Sequence, residues 1–260
     1  MKRSTFLDML LFAALTGQVS AADFTDWTDG SFGVAHGVLG GVSVTFAPYD
    51  FPPITDGSST YFNTNWFSPP LPLSDAVFPS IYPTNRVFTF TFGAPVRDPV
   101  VHVGSLASVL TFTTTNITRL SGEAAFVVSG GTVTGQYIPC HPCPWQDTHG
   151  SIRLDGVFCA ISFTGITLPG IGLDGLWLQI GGTPVLQPSL TVRRVASSIE
   201  LAFQTDNGIS YQVQYSPILP ATNWMSLGSP ILGDGTTNVF SDTTRGLDAR
   251  FYRVHILVCQ

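Results

Sequence analysis

The residues of this chain best equipped for chemistry are its cysteines and its clusters of aromatic and acidic side chains. Cys140-His141-Pro142-Cys143 is a CxxC motif, with Cys159 and Cys259 elsewhere. A redox dithiol wants its first thiolate at a helix N-terminus, where the backbone dipoles lower the thiol pKa. Here prolines and Trp145 flank the motif, and no helical pattern follows it. A zinc site fits no better, because Cys140 and His141 are adjacent and a second CxxC is lacking. The residues favour a structural disulfide of the kind that persists in exported proteins. It would join Cys140 to Cys143, or one of these to Cys159.

Hydrolytic chemistry finds no signature. The sequence has no Gly-x-Ser-x-Gly elbow, His-Glu-x-x-His pair or phosphate loop. Its five histidines (His36, His102, His141, His149 and His255) are scattered, and Glu123 and Glu200 are the only glutamates. A glycosidase needs two facing carboxylates, and nothing in the sequence marks an aspartate pair. The expectation is a protein that is not an enzyme. Sugar binding is the sharper possibility. Tyr61, Asn63, Asn65, Trp66 and Phe67 cluster within one segment, and Trp145 lies in the cysteine loop. Aromatic rings stack on the C–H faces of sugars while amides bond the hydroxyls. The same rings could instead cap a core, as buried aromatics usually do, and the residues leave both readings open. Calcium is the one cofactor the sequence allows: Asp23, Asp26 and Asp29 could join carbonyls around a hard cation. Solvated turn acids explain them more simply.

Strands must position these groups. From Asp23 onward, two-residue alternation is punctuated by Gly, Pro, Asn and Asp, and no helical stripe occurs. Val42-Ser43-Val44-Thr45-Phe46 alternates cleanly. Val87-Phe88-Thr89-Phe90-Thr91-Phe92 suggests a strand buried on both faces. Residues 47–85 interrupt the series with eight prolines among aromatics, which predicts a long loop or edge insertion, because proline removes ladder donors. Such segments are where binding function concentrates. Near Gly181-Gly182-Thr183-Pro184 a first series of strands ends. A second runs from Leu190 to Ile256, with Asp206-Asn207-Gly208 and Asp234-Gly235 as hairpin-turn signals. The expected fold is all-β: two antiparallel β-sandwich modules, a jelly-roll-like one over 23–183 and a smaller immunoglobulin- or fibronectin-like one over 186–258.

Composition limits the partners. The 260 residues are 44% hydrophobic and 11% charged, against about 25% charged in typical soluble domains. Residues 1–22 read as a secretory signal peptide: Lys2 and Arg3 precede the apolar stretch Phe6–Leu15, and Val19-Ser20-Ala21 offers a cleavage site. Removing Lys2, Arg3 and Asp8 from 11 cations and 17 acids leaves nine arginines against 16 acids, a net charge of −7 with no lysine. Such a surface argues against nucleic acid and against anionic lipid. No later apolar run reaches the ~20 residues of a transmembrane span.

Two resemblances sharpen this picture. Tyr211-Gln212-Val213-Gln214-Tyr215-Ser216, Asn223-Trp224, Gly233-Asp234-Gly235, Asp242 and Arg250-Phe251-Tyr252-Arg253-Val254 resemble the small fibronectin type III-like modules of secreted proteins of environmental bacteria. That likeness implies a non-catalytic appendage. Asp23-Phe24, Asp56–Asn63, Ser105-Leu106, Leu120–Gly122, Phe126–Gly130, Gly150–Leu154 and Gly175–Gly182 resemble, more loosely, the exported β-sandwich domains of PEP-CTERM-type surface proteins, without their sorting tail. That likeness implies an extracellular matrix or surface role and no known catalytic residues. The resulting expectation is a secreted or cell-surface protein that binds extracellular polysaccharide or mediates adhesion. The alternative is a self-assembling matrix subunit with a surface or matrix protein as partner, and a polysaccharide hydrolase ranks third.

Overall fold

The computed structural model describes residues 23–31, 33–138, 146–243 and 250–257. Every regular element among them is a β-strand, and every strand pairing is antiparallel. No helix of the described residues is long and apolar enough to cross a membrane.

One strand, Arg86–Leu106, is the spine of residues 23–184. Its first half pairs with Val42–Ala47 and Val157–Thr167. Its second half pairs with Trp177–Pro184 and Gln146–Leu154. Between the halves the register with Val157–Thr167 breaks, from Thr91 opposite Ala160 to Val96 opposite Phe158. Gly93, Ala94 and Pro95 lie in that break, where a proline cannot donate to the ladder. Such breaks let one strand serve two sheets at a corner.

Alternation sets the core. Val42, Val44 and Phe46 are buried while Ser43 is exposed. The turn into that strand is Gly40-Gly41, both at positive φ (52° and 83°), the backbone that two-residue hairpins of type I′ demand. Phe46, Phe88, Phe90 and Phe163 meet at the centre, with rings 4.5 Å apart for Phe46–Phe90 and 5.2 Å for Phe88–Phe163.

The expected two-sided burial of Val87–Phe92 is not found. Phe88, Phe90 and Phe92 are buried, but Val87 is 57% exposed and Thr91 faces solvent. Double burial falls further along the same strand, where Val100 to Gly104 are all buried. The cause is the proline-rich insertion. It contributes strands Phe51–Ser59 and Ser74–Phe78 at the edge of the sheet. Its aromatic loop lies over the outer face, where Phe62, Phe67 and Ala76 form a small second core.

Residues 185–256 build two further sheets around a core of Leu201, Phe203, Ile209, Tyr211, Val213, Val254 and Ile256. One sheet orders Thr191–Val195, Ser198–Gln204 and Thr237–Asp242; in the other, Ser210–Ser216 pairs with Phe251–Ile256, Met225–Ser226 and Ile231–Leu232. Both expected turns exist, but neither closes a hairpin. Asp206-Asn207-Gly208 and Asp234-Gly235 each carry the chain from one sheet to the other, because the strands they join pair with different neighbours. The hairpin that does form, between Val195 and Ser198, has Ala196 at φ 50°. Glycine fills that position without a Cβ clash, so Ala196→Gly is expected to raise stability by about 0.5–1 kcal/mol in urea unfolding.

Candidate functional site

The aromatic segment proposed as a sugar platform is folded inward. Phe67 is 2% exposed, its ring set edge-on to Phe62 at 5.0 Å and close to His102 at 5.3 Å. Tyr61 stacks flat on Trp177, with centroids 4.2 Å apart and planes 9° apart. Its other surroundings include Gly104, where a Cβ would lie 2.2 Å from the tyrosine ring. With their faces occupied, Tyr61 and Phe67 belong to the cap rather than to an open platform. Trp66 is half-buried, 4.9 Å from the His149 ring. Asn63 and Asn65 are exposed on the loop. Trp145 lies outside the described residues.

The cap is tied down by polar chains. His102 is fully buried. Its Nε2 lies 2.9 Å from the Pro69 carbonyl and its Nδ1 2.8 Å from Ser151 Oγ, which in turn accepts the Ser68 N–H at 3.0 Å. The carbonyl only accepts, so Nε2 carries the proton and Nδ1 receives the serine hydroxyl. Burial pushes the His102 pKa down to about 3. A second chain runs through His149. Its Nδ1 lies 3.1 Å from Glu123 Oε2 and its Nε2 2.8 Å from Tyr61 Oη. With Nδ1–H given to the carboxylate, Nε2 accepts the phenol proton. Burial, then the nearby Asp147 carboxylate, raises the Tyr61 pKa far above its usual value, so the phenol stays protonated and serves as a donor.

Beside this cap the chain forms a concave site. Opposite His149 the spine strand carries two residues, Gly104 and Ser105, because Thr148 pairs with Leu106 while Gly150 pairs with Val103. This is a β-bulge, a device that re-aims side chains. Ser105 adopts φ 55°, an uncommon backbone for a non-glycine residue. Its hydroxyl donates to Asp147 Oδ2 at 2.7 Å. Across the site Asp174 is held rigidly: its Oδ2 accepts the Ala107 N–H at 2.8 Å and the Ser108 hydroxyl at 2.5 Å. Burial raises the Asp174 pKa to about 6, against those two hydrogen bonds, and the Asp147 charge adds to the rise. Together with Tyr137 and the 170–175 loop, these residues line a cavity of about 460 Å³. Volumes of this order suit small polar ligands.

The remaining expectations fare differently. Asp23, Asp26 and Asp29 do not gather into a metal site; among the described residues no group of three or more metal-binding side chains exists. They sit instead on strands Asp23–Phe24 and Asp26–Ser31, paired to Gly182, Val38 and His36 respectively. Calcium therefore has no cluster of ligands here. Cys159 is not a free thiol, while Cys140 and Cys143 lie outside the described residues.

Sequence reasoning missed Ser105, Tyr137, Asp147 and Asp174. The strand pattern gave one signal, the glycine at 104 beside a polar residue inside an apolar run, which marks a bulge. Nothing in the order of residues, however, brings Asp147 to Asp174. No protein-family model matches the chain, and no curated protein does. The site must therefore be read from its own geometry.

Proposed function

We propose that this is an exported, non-catalytic protein of two β-modules, which binds extracellular polysaccharide in the cavity between Ser105, Asp147 and Asp174. The observation that carries this reading is the cavity itself, where two fixed carboxylates and a phenol converge beside the apolar side chains of Ile171 and Leu173. Carboxylates accept hydrogen bonds from vicinal hydroxyls, and the apolar rim suits the C–H faces of a sugar ring. The leader-like residues 1–22 support export. The separate cores of residues 27–180 and 185–256 support two modules. The second reading, a self-assembling subunit, has the edge strand Thr191–Val195 in its favour, exposed along its whole length. That strand carries Arg193 and Arg194, charges that deter edge-to-edge pairing, so binding takes precedence.

The test is a binding panel of insoluble polysaccharides and soluble glycans, with and without calcium. Saturable binding to one glycan class is expected. Asp147→Asn and Asp174→Asn should each weaken it about tenfold or more, equivalent to about 1.4 kcal/mol. Asp174→Asn also carries its own folding control. Its carboxyl binds a proton more tightly folded than unfolded, so it favours the fold below pH 3.8 and loses that contribution as pH rises through 6. At pH 8 the variant should be at least as stable as the parent by urea unfolding. No binding to any glycan, or release of reducing ends from one, would overturn the reading.

A further inference from the structure

We infer that the cavity is selective for a glycan bearing a free amino group, such as a glucosamine unit, whose ammonium sits between Asp147 and Asp174. This rests on the polysaccharide reading of the same site. The argument is one of charge. Four carboxylates of the described structure are paired with arginines: Asp50 with Arg86, Asp155 with Arg153, Glu200 with Arg193 and Asp242 with Arg250. Asp147 and Asp174, which share one cavity, are paired with no arginine among the described residues. The donors they accept from are neutral: the Ser105 hydroxyl for Asp147, and the Ser108 hydroxyl and Ala107 amide for Asp174. No arginine, lysine or histidine lines the cavity among the described residues.

Two carboxylates facing one concavity repel each other, and a cation placed between them relieves that repulsion. Asp174 cannot turn away, since two hydrogen bonds hold its Oδ2 and its side chain is almost wholly buried. Asp147 is fixed by a serine whose own backbone is set by the bulge. The pair is thus organised before any ligand arrives, which lowers the ordering cost of binding. An ammonium supplies three donors without an acceptor and matches carboxylate oxygens. An N-acetyl group at the same position supplies one amide donor, no charge and added bulk. A uronic acid or sulfated sugar would bring a third negative charge and be rejected. Charge selection of this kind works by repulsion as much as by attraction.

The experiment compares three soluble probes on the full chain by titration calorimetry: an oligomer of glucosamine, its fully N-acetylated counterpart and a neutral glucose oligomer of equal length. The glucosamine oligomer should bind at least tenfold more tightly than either of the others at pH 6.5. That preference should disappear in Asp147→Asn and in Asp174→Asn, each checked for parent-like unfolding. It should also shrink in 0.5 M salt. Equal affinity for all three probes, abolished by the same variants, would overturn amine selectivity and leave the glycan site standing. Glucosamine binding that survives both variants would place any amine site elsewhere and overturn the inference. No binding of any probe would overturn the inference and, with an empty wider panel, the glycan reading too.

Discussion

Replacing His102 with leucine is expected to destabilise the fold by about 2–4 kcal/mol at pH 7, while glutamine costs less and changes how stability responds to acid. The leucine fills the space but abandons the Pro69 carbonyl and the Ser151 hydroxyl, both of which the imidazole satisfies. Glutamine keeps a donor and an acceptor. The acid response follows from linkage. Folded His102 is held to about 3, chiefly by burial, against an ordinary value of 6.5. Its contribution is therefore complete above pH 6.5 and is lost as pH falls toward 3, at up to about 1.4 kcal/mol per unit. Asp174 acts in the opposite direction. Raised to about 6, it adds stability as pH falls from 6 to 3.8 and offsets much of the histidine's loss there. The advantage of the parent over His102→Gln should narrow continuously between pH 6.5 and 3. Urea midpoints at pH 7, 5.5 and 4 read this directly. A constant difference across that range would mean the imidazole takes no part in the acid response.

The same histidine shows where the sequence was readable and where it was not. Alternation in Val42–Phe46 and Phe88–Phe92 identified strands and their buried faces, because each side chain's fate depends on its own position in a pleat. The outer face of Val100–Gly104 was not readable. Its burial depends on a segment some forty residues earlier that folds over it, and His102 in isolation looks like a solvated strand residue. Proline content in residues 47–85 pointed correctly to an edge. It could not say whether Tyr61 and Phe67 would face water or protein, since either environment accepts an aromatic ring. The Asp-Asn-Gly turn was recognised as a turn, but its partner strands are chosen by the core of residues 185–256 and not by the turn itself. The cavity is the extreme case. Asp147 lies on the strand that faces the spine's bulge, and Asp174 pairs with Ile81 on a short ladder. Only the bent spine strand brings them to one place.

The second large effect is expected from Phe67→Ala, at about 3–5 kcal/mol of lost stability. Phe67 is 2% exposed and wedged between Phe62, Tyr61 and His102, so truncation opens a hole in the cap that rigid neighbours on the sheet cannot close. Trp66→Ala should cost less, because that ring is only half-buried. Asn63→Ala and Asn65→Ala, at exposed positions, should stay within about 0.5 kcal/mol of the parent. The four variants separate the two roles the sequence left open for this segment. If it is a cap, stability falls in the order of burial, and the Trp66, Asn63 and Asn65 variants hold glycan within about threefold of parent affinity. If it is a sugar platform, Phe67→Ala keeps its unfolding midpoint and loses glycan instead. The packing favours the cap, because an aromatic ring whose faces are already covered by protein has no face left to offer a ligand. On the proposed glycan reading, the cap acts only through what it holds still: the Tyr61 phenol, the His149 chain behind it, and the bulge that points Ser105 at Asp147.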